Sequence, residues 1–492
     1  MHVGIITYFI NMGGEFYPME IAIHTLRAVA YAIADPSNAF ILIMIALIFY
    51  NKNKKIAAMQ KMIMGESIDS PFELTISQIV IGIFAGVAAS LIFTFTGLVF
   101  DENSKIYLLF MVSLFFMAVK PRYICFSYSG AVLGIASLLF KYASNILNMP
   151  QLDIINIDVL TLMTLVGILH VIEGSLVMID GSRGAIPVFT NRDNKIIGGF
   201  ALKRYWALPV ALLILLSATS SNLVAGQNVM IPEWTHLIKG DILDRIVKNS
   251  VIASIALYGV IGYSSITFTK SKRAKTLTSG ALIMAYGLLL TAVAQLAVLG
   301  TVYQFFVLIF AAVVHEGMLR LEKHMEFTNR PKFSSSDEGI MVLAVAPRSP
   351  AFQMGIESGD LIVELNGKAI EAEEEIFNII KGNFSSLSLK IKKPFGDLKN
   401  VKYSNMDENR RLGIVIVPRE IPENTAIVNM HDVTFKEVID KIKDKNKDIK
   451  QEKEQKEDQE QSQDQEQGQN QEQDQDQDQE QSQDQNQDQD KK

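Results

Sequence analysis

Up to about position 316 the apolar residues of this chain come in runs long enough to cross a bilayer, which needs about 20 residues per helix. The runs fall at 31–50, 75–98, 105–119, 123–140, 154–174, 205–221, 249–269, 279–298 and 300–315, and the third, sixth and last are short. They predict a polytopic α-helical membrane domain over 31–316 with seven to nine spans, nine being the best fit. Basic residues mark every second connection: Lys52, Lys54, Lys55 and Lys61; Lys120 and Arg122; Arg183, Arg192, Lys195, Lys203 and Arg204; Lys270, Lys272, Arg273 and Lys275; then Arg320, Lys323, Arg330 and Lys332. The positive-inside rule therefore places everything after the last run in the cytoplasm. Residues 1–30 read as an N-terminal extension. Within it Met19 is an alternative start, and Met19 to Ala34, which carries Glu20, His24 and Arg27, is expected at the membrane surface before Pro36, the alternative being the first part of a bent spanning helix. No charged region followed by a small-residue cleavage site marks a removable signal peptide.

Beyond a linker at 317–336 the pattern changes to short strands and turns. Ile340 to Val345 is β-branched and apolar, as a buried strand should be. Pro347 and Pro350 stop it. Ser349 caps a short helix with Pro350 at its first position, and Gly355 suits the left-handed end of that helix. Leu361 to Leu365 is a second strand, ended by Asn366-Gly367, a strong hairpin signal. Ile370 to Ile380 reads as a helix with Ile376, Ile379 and Ile380 on its apolar face and Glu371, Glu373, Glu374 and Glu375 at its N-terminus. Leu387 to Ile391 alternates like a strand.

This succession, from Glu338 to Val417, resembles a PDZ domain. That family captures a peptide C-terminus with a hydrophobic-Gly-hydrophobic loop preceded by a basic residue. No such loop precedes Ile340, but one follows later, in Arg410-Arg411-Leu412-Gly413-Ile414-Val415-Ile416-Val417. The resemblance thus implies a small α+β PDZ-like domain over 337–418, circularly permuted. A peptide C-terminus or an internal strand would add to the sheet beside Ile414 to Val417. Arg411, Leu412, Gly413 and Ile414 would meet its carboxylate end, and Leu412, Ile414, Ile376 and Ile380 would line the pocket for its last side chain. The alternative is an ordinary closing strand with an unused groove.

Residues 419–450 read as a connector with a short helix at Phe435 to Ile449. From Gln451 to Lys492 Gln alternates with Asp and Glu, and nothing there can bury apolar area, so a disordered acidic tail is expected. That tail holds 15 acidic residues and 4 Lys, or −11, so the remainder of a chain of net charge −7 carries +4. The acidic balance belongs to the tail. No nucleic-acid partner is expected, and the lipid bilayer is. The single cysteine, Cys125, excludes an intramolecular disulfide framework.

The sequence holds no catalytic constellation. His315-Glu316-Gly317-Met318-Leu319 begins like the zinc motif His-Glu-x-x-His, but Leu319 stands where the second ligand must be. His170 and Glu173 could share a metal or a proton, although a hydrogen-bonded pair near the interface explains them as well. Ser127 and Ser129 have no His partner nearby in sequence. The loops at Asp180 to Pro187 and Asn194 to Phe200 are glycine-rich and basic, fitting a surface hairpin better than a phosphate nest. No Gly-x-Ser-x-Gly elbow occurs. No cofactor, no metal and no enzymatic activity are expected.

Many spans followed by a single PDZ-like domain, without a protease motif, resemble the MinJ family of cell-division topology proteins of Gram-positive bacteria. Gly167 to Gly174, the Gly181-Ser182-Arg183 loop, Ile196 to Phe200 and Trp206-Ala207-Leu208-Pro209 look like that family's central region. The resemblance implies a membrane adaptor, enriched at septa and poles, that links the polar protein DivIVA to MinD. The other reading is a membrane protease, or a PDZ protein that presents substrates to one.

Overall fold

A computed structural model describes residues 6–9, 18–64, 68–119, 125–152, 154–193, 195–217, 227–228, 250–370, 373–381, 386–404 and 411–419. The helix expected at Phe435 to Ile449, the acidic tail and most of the loop at 222–248 lie outside these residues.

The first part of the chain holds eight helices among the described residues: α1 Pro18–Ala34, α2 Pro36–Met64, α3 Pro71–Phe95, α4 Tyr107–Val119, α5 Phe126–Leu147, α6 Val159–Asp180, α7 Lys272–Ala294 and α8 Thr301–Thr328. Among the described residues five segments are long and apolar enough to cross a membrane: α3, α5, α6, Lys272–Leu299 and α8. A broken pair, Ala22–Ala34 and Pro36–Met64, bent by 68°, makes a sixth if it counts as one span. The bend falls at Pro36, which cannot continue the helix before it. α4, with 13 residues, is too short to cross. α8 runs on to Thr328, well into the stretch read from sequence as a linker.

Two runs read as spans, 205–221 and 249–269, are not helices where they are described. They belong to strands β4 Lys195–Ser217 and β6 Ser250–Thr267, which pair antiparallel from Phe200↔Thr267 to Ser217↔Ser250. β3 Ile186–Arg192 forms a hairpin with β4, so the glycine-rich loops are a turn and a hairpin. β1 Ile6–Phe9, β2 Val99–Asp101 and β5 Gln227–Asn228 complete a sheet of order β2-β4-β6-β1-β5, with β3 beside β4. The misreading has a physical cause. Along β4 the even positions Phe200, Leu202, Trp206, Leu208, Val210 and Leu212 face the main core. The odd positions Tyr205 and Ala207 pack with Phe49 of α2, and Ala211 packs with Ala28 and Val29 of α1. A strand covered on both faces is apolar without alternation, and periodicity alone cannot tell it from a buried helix.

Between the stretches paired to β3 and β2, the second edge of β4 has no strand neighbour among the described residues. α3 closes it with a stripe of small residues. A Cβ on Gly82 would lie 2.2 Å from the Ala207 carbonyl oxygen, and one on Gly86 would lie 2.2 Å from that of Pro209. The Ala211 N–H donates to Ser90 Oγ at 2.9 Å. Steps of four residues along a helix rise about 6 Å, close to the roughly 6.6 Å of two strand residues, so positions 82, 86 and 90 stay in step with 207, 209 and 211. Pro209 has no N–H to leave unmet. In a bilayer this matters, because each unsatisfied backbone group costs several kcal/mol. α6 and α7 cross through a similar device: a Cβ on Gly174 would meet Gly280 O at 2.5 Å, and one on Gly287 would meet Gly167 O at 2.6 Å.

At the end of α6, Asp180 is buried and holds a buried arginine. Arg204 Nε donates to Asp180 Oδ2 at 2.9 Å, its Nη2 also reaches that oxygen, and Trp206 Nε1 donates to it at 2.9 Å. The guanidinium also reaches Leu74 O at 3.3 Å and Ser77 Oγ at 2.8 Å, both on α3.

The second part is a sheet of order β11-β10-β8-β7-β12, with β9 beside β8. Its strands are β7 Ile340–Val345, β8 Leu361–Leu365, β9 Lys368–Ala369, β10 Ser386–Lys392, β11 Leu398–Ser404 and β12 Ile414–Val417. Helices α9 Pro350–Gln353 and α10 Glu373–Lys381 accompany it. Leu343, Val415 and Val417 on one face share a core cluster with Ile196 and Phe200 of the β3–β4 hairpin and with Phe333. Gly198 makes this approach close. Its N–H donates to Phe333 O at 2.9 Å, and a Cβ there would lie 2.7 Å from Val417 Cγ2.

Candidate functional site

The local signals of the second part act as read. Ser349 Oγ caps α9 by accepting from Phe352 N–H at 3.2 Å, with Pro350 at the first helical position. Gly355 takes φ +74° after the helix. Asn366 and Gly367 take φ +48° and +81°, the left-handed pair that a two-residue type I′ hairpin requires, and they join Leu365 to its partner Lys368. Asp360, fully buried, accepts from Glu357 N–H at 2.8 Å and from Lys393 Nζ at 2.9 Å. Burial pushes the Lys393 ammonium down, but its hydrogen bonds to Asp360 and Glu357 outweigh this and hold it above the usual lysine range. The stability this contributes is full below the ordinary lysine pKa and is lost as pH rises through the raised value.

β12 is the end strand of the sheet, antiparallel to β7 with Ile414↔Val345 and Val417↔Met341. Leu412, Ile414 and Ile376 are buried in one apolar cluster, against which Ile380 packs half-buried. Arg411 is exposed at the entrance to the strand. Four of the six residues picked from the sequence are thus one cluster, and Arg411 and Gly413 sit at its end. The loop is anchored through its carbonyls: Ala346 N–H donates to Gly413 O at 2.8 Å and Ala351 N–H to Leu412 O at 3.1 Å.

Gly413 has φ +73°, and a Cβ there would lie 2.3 Å from Ser349 Cβ. Gly413→Ala is expected to destabilise this domain by about 2–4 kcal/mol, from left-handed backbone plus overlap with a residue fixed by its own cap. Thermal unfolding of the full-length protein in detergent measures it, and an unchanged transition would contradict the packing described.

The groups weighed for catalysis lie elsewhere, where α5, α6 and α8 meet. Ser127 does have a histidine partner, 43 residues away: its Oγ is 3.2 Å from His170 Nε2. A hydrolase triad still does not form. Glu173 is 3.9 Å from the same Nε2, and Nδ1 lies 2.7 Å from Val166 O. A triad needs the carboxylate on Nδ1. Glu316 accepts from Tyr128 OH at 2.9 Å and pairs with Arg320.

Comparison with known proteins bears on the second part above all. The family profile described as "PDZ domain" matches residues 341–393. The chain is 26% identical over 98 residues to the cell division topological determinant MinJ of Bacillus subtilis (strain 168), covering 20% of this chain and 24% of that protein. It is 23% identical over 86 residues to the probable cell division topological determinant MinJ of Lacticaseibacillus paracasei, covering 17% and 23%. It is also 37% identical over 71 residues to the serine protease HTRA3 of Rattus norvegicus, covering 14% and 15%. The chain spans about a quarter of the length of the MinJ relatives it matches. The chain thus combines helices long and apolar enough for a membrane with a PDZ domain at 341–393, and over about a fifth of its length it is similar to MinJ.

Proposed function

We propose that this protein is a non-enzymatic membrane adaptor that helps to place the division site, and that its PDZ domain is circularly permuted and recruits a partner by strand addition. The observation that carries the reading is β12. It ends its sheet, with the Leu412-Gly413 loop at its start and α10 supplying Ile376 and Ile380 to the same cluster. One face of β12 is covered by the β3–β4 hairpin and the other by the domain core, so a ligand adds along the edge and not on a face. The carbonyls of Leu412 and Gly413 are used internally, so the amide side of the loop is the side turned to a carboxylate, with Arg411 adding charge. The basic flank of α8 supports a cytoplasmic domain, and similarity to MinJ makes DivIVA-like and MinD-like proteins the partners to test, at septa and poles. The protease reading draws only on the HTRA3 similarity, and the His170 geometry opposes a serine hydrolase.

Arg411→Glu is expected to weaken binding of peptides with a free C-terminus about tenfold or more, through loss of one charge-assisted contact and gain of repulsion. Ile380→Asp should do the same by spoiling the pocket wall. Fluorescence anisotropy with a C-terminal peptide library on the full-length protein in detergent measures both. Amidating the peptide C-terminus should abolish the difference between wild type and Arg411→Glu. Equal binding by wild type and both variants would sink the groove.

A further inference from the structure

Three side chains from distant parts of the chain turn donor atoms toward one point inside the helix bundle. Cys125 sits at the N-cap of α5, His170 is midway along α6 and His315 is midway along α8. Cys125 Sγ is 2.9 Å from His170 Nε2 and 3.2 Å from His315 Nε2, and all three donor atoms lie within 4.8 Å of one another. Both histidines are buried, with relative exposures of 0% and 5%.

The hydrogen bonds around the cluster fix which ring nitrogens face it with a lone pair. His170 Nδ1 lies 2.7 Å from Val166 O, and a carbonyl can only accept. The Nδ1 therefore carries the proton, and Nε2 turns a lone pair inward. His315 Nδ1 faces Tyr128 OH at 3.4 Å, and that hydroxyl donates to Glu316 at 2.9 Å. The chain runs from imidazole N–H to phenol oxygen to carboxylate, and it too leaves Nε2 as the electron-rich nitrogen. Ser127 Oγ, 3.2 Å from His170 Nε2, is bound to Tyr286 OH at 2.7 Å, and Tyr286 donates to Ala311 O at 2.7 Å. The Ser127 proton is thus taken by the tyrosine oxygen, and Ser127 turns oxygen lone pairs to the same point. Two imidazole nitrogens, a hydroxyl oxygen and a sulfur converge, with the Ser127 N–H donating to the sulfur at 3.4 Å and Glu173 3.9 Å from His170 Nε2. A cation suits this convergence, since each donor can give it a lone pair and the thiol proton leaves to solvent on binding.

We infer that Cys125, His170 and His315 form a binding site for a divalent transition-metal ion of the zinc class, tying α5, α6 and α8 together inside the bundle. One thiolate and two imidazoles suit a borderline-soft ion. Outer partners that orient each ring through its second nitrogen are the usual support of such ligands. Bond lengths of about 2.3 Å to sulfur and 2.0–2.1 Å to nitrogen place tetrahedral S and N donors about 3.6 Å apart. The present 2.9 and 3.2 Å open to that value with small side-chain rotations. Ser127 Oγ or water completes the fourth position. The ligands stand 45 and 145 residues apart along the chain, so neither a His-Glu-x-x-His motif nor any other local spacing announces them.

The test uses the full-length protein, purified in detergent without chelator. Elemental analysis is expected to find about one zinc per chain, and cobalt titration of protein stripped of metal should give a thiolate-to-cobalt charge-transfer band. Cys125→Ala should lose the band and weaken zinc binding at least tenfold. Cys125→His should restore zinc binding without the band. Size-exclusion profiles report the fold of each variant, and the wild-type spectrum reads the site without any variant. A cobalt complex of the wild type lacking the thiolate band, or zinc no higher in wild type than in Cys125→Ala, overturns the inference.

Discussion

Gly86→Leu is expected to prevent the membrane part from folding. A Cβ at this position would lie 2.2 Å from Pro209 O and 3.0 Å from Pro209 Cδ, and the same helix meets Ala207 through Gly82. The obstacle is backbone on both sides, so no rotamer change relieves it. α3 must back away from β4, which breaks the Ser90 to Ala211 hydrogen bond and opens a strand edge that nothing else among the described residues covers. Overpacking against backbone, with the lost hydrogen bond, costs upwards of about 3 kcal/mol. The measurement is the yield of monodisperse full-length protein in detergent, with Val80→Leu as the control, since Val80 lies on the same helix and is 44% exposed. Equal yields from the two variants would contradict the placement of α3 along the strand.

Asp180→Ala should destabilise the same region by about 3–5 kcal/mol, the usual cost of orphaning one member of a buried ion pair. Arg204 is 1% exposed and Asp180 3%. Without the carboxylate, the guanidinium keeps only Leu74 O and Ser77 Oγ, and the Trp206 N–H loses its acceptor. Asp180→Asn keeps an oxygen for Trp206 but not the charge, so it should fall between wild type and alanine. Replacing Asp180 and Arg204 together with Leu and Met should recover much of the loss, because the penalty lies in the unpaired charge. Thermal unfolding in detergent orders the four proteins. A double variant no more stable than Asp180→Ala would show that the pair does more than neutralise itself.

The two parts of the chain differed in how far they could be read from sequence, and the reason is the range over which each is specified. The PDZ domain announces itself through neighbours in sequence. The Ser349 cap, the left-handed Gly355 and the Asn366-Gly367 turn each act within four residues, and each holds in the structure. The membrane part is specified across distance. β4 and β6 are covered on both faces by helices from three other stretches of chain, which removed the alternation that marks a strand. A useful trace did remain. Pro209 in the middle of one run and Gly259 and Gly262 in the other are poor helix residues, and β6 is rich in β-branched and aromatic side chains. Small residues at positions 82, 86, 89 and 90 of α3 likewise hinted at a close neighbour without naming it. The cluster of Cys125, His170 and His315 was beyond local reading, because each helix contributes one donor. Ser127 has no histidine near it in sequence, and its partner lies on the next long helix.

An acidic side chain at Gly413 would repel a carboxylate, but it would first collide with Ser349, so loss of binding would report loss of fold. Arg411 is exposed and Ile380 half-buried at the rim of the same cluster, and changes there test the proposed groove.

The most direct measurement is the distribution of a fluorescent full-length fusion in dividing cells of the organism that carries this protein, wild type beside the double variant Arg411→Glu, Ile380→Asp. The account predicts wild type gathered at septa and poles, and a variant of equal abundance that remains in the membrane but spreads evenly. A wild-type protein distributed uniformly over the membrane, with division unaffected by its deletion, would contradict the adaptor reading.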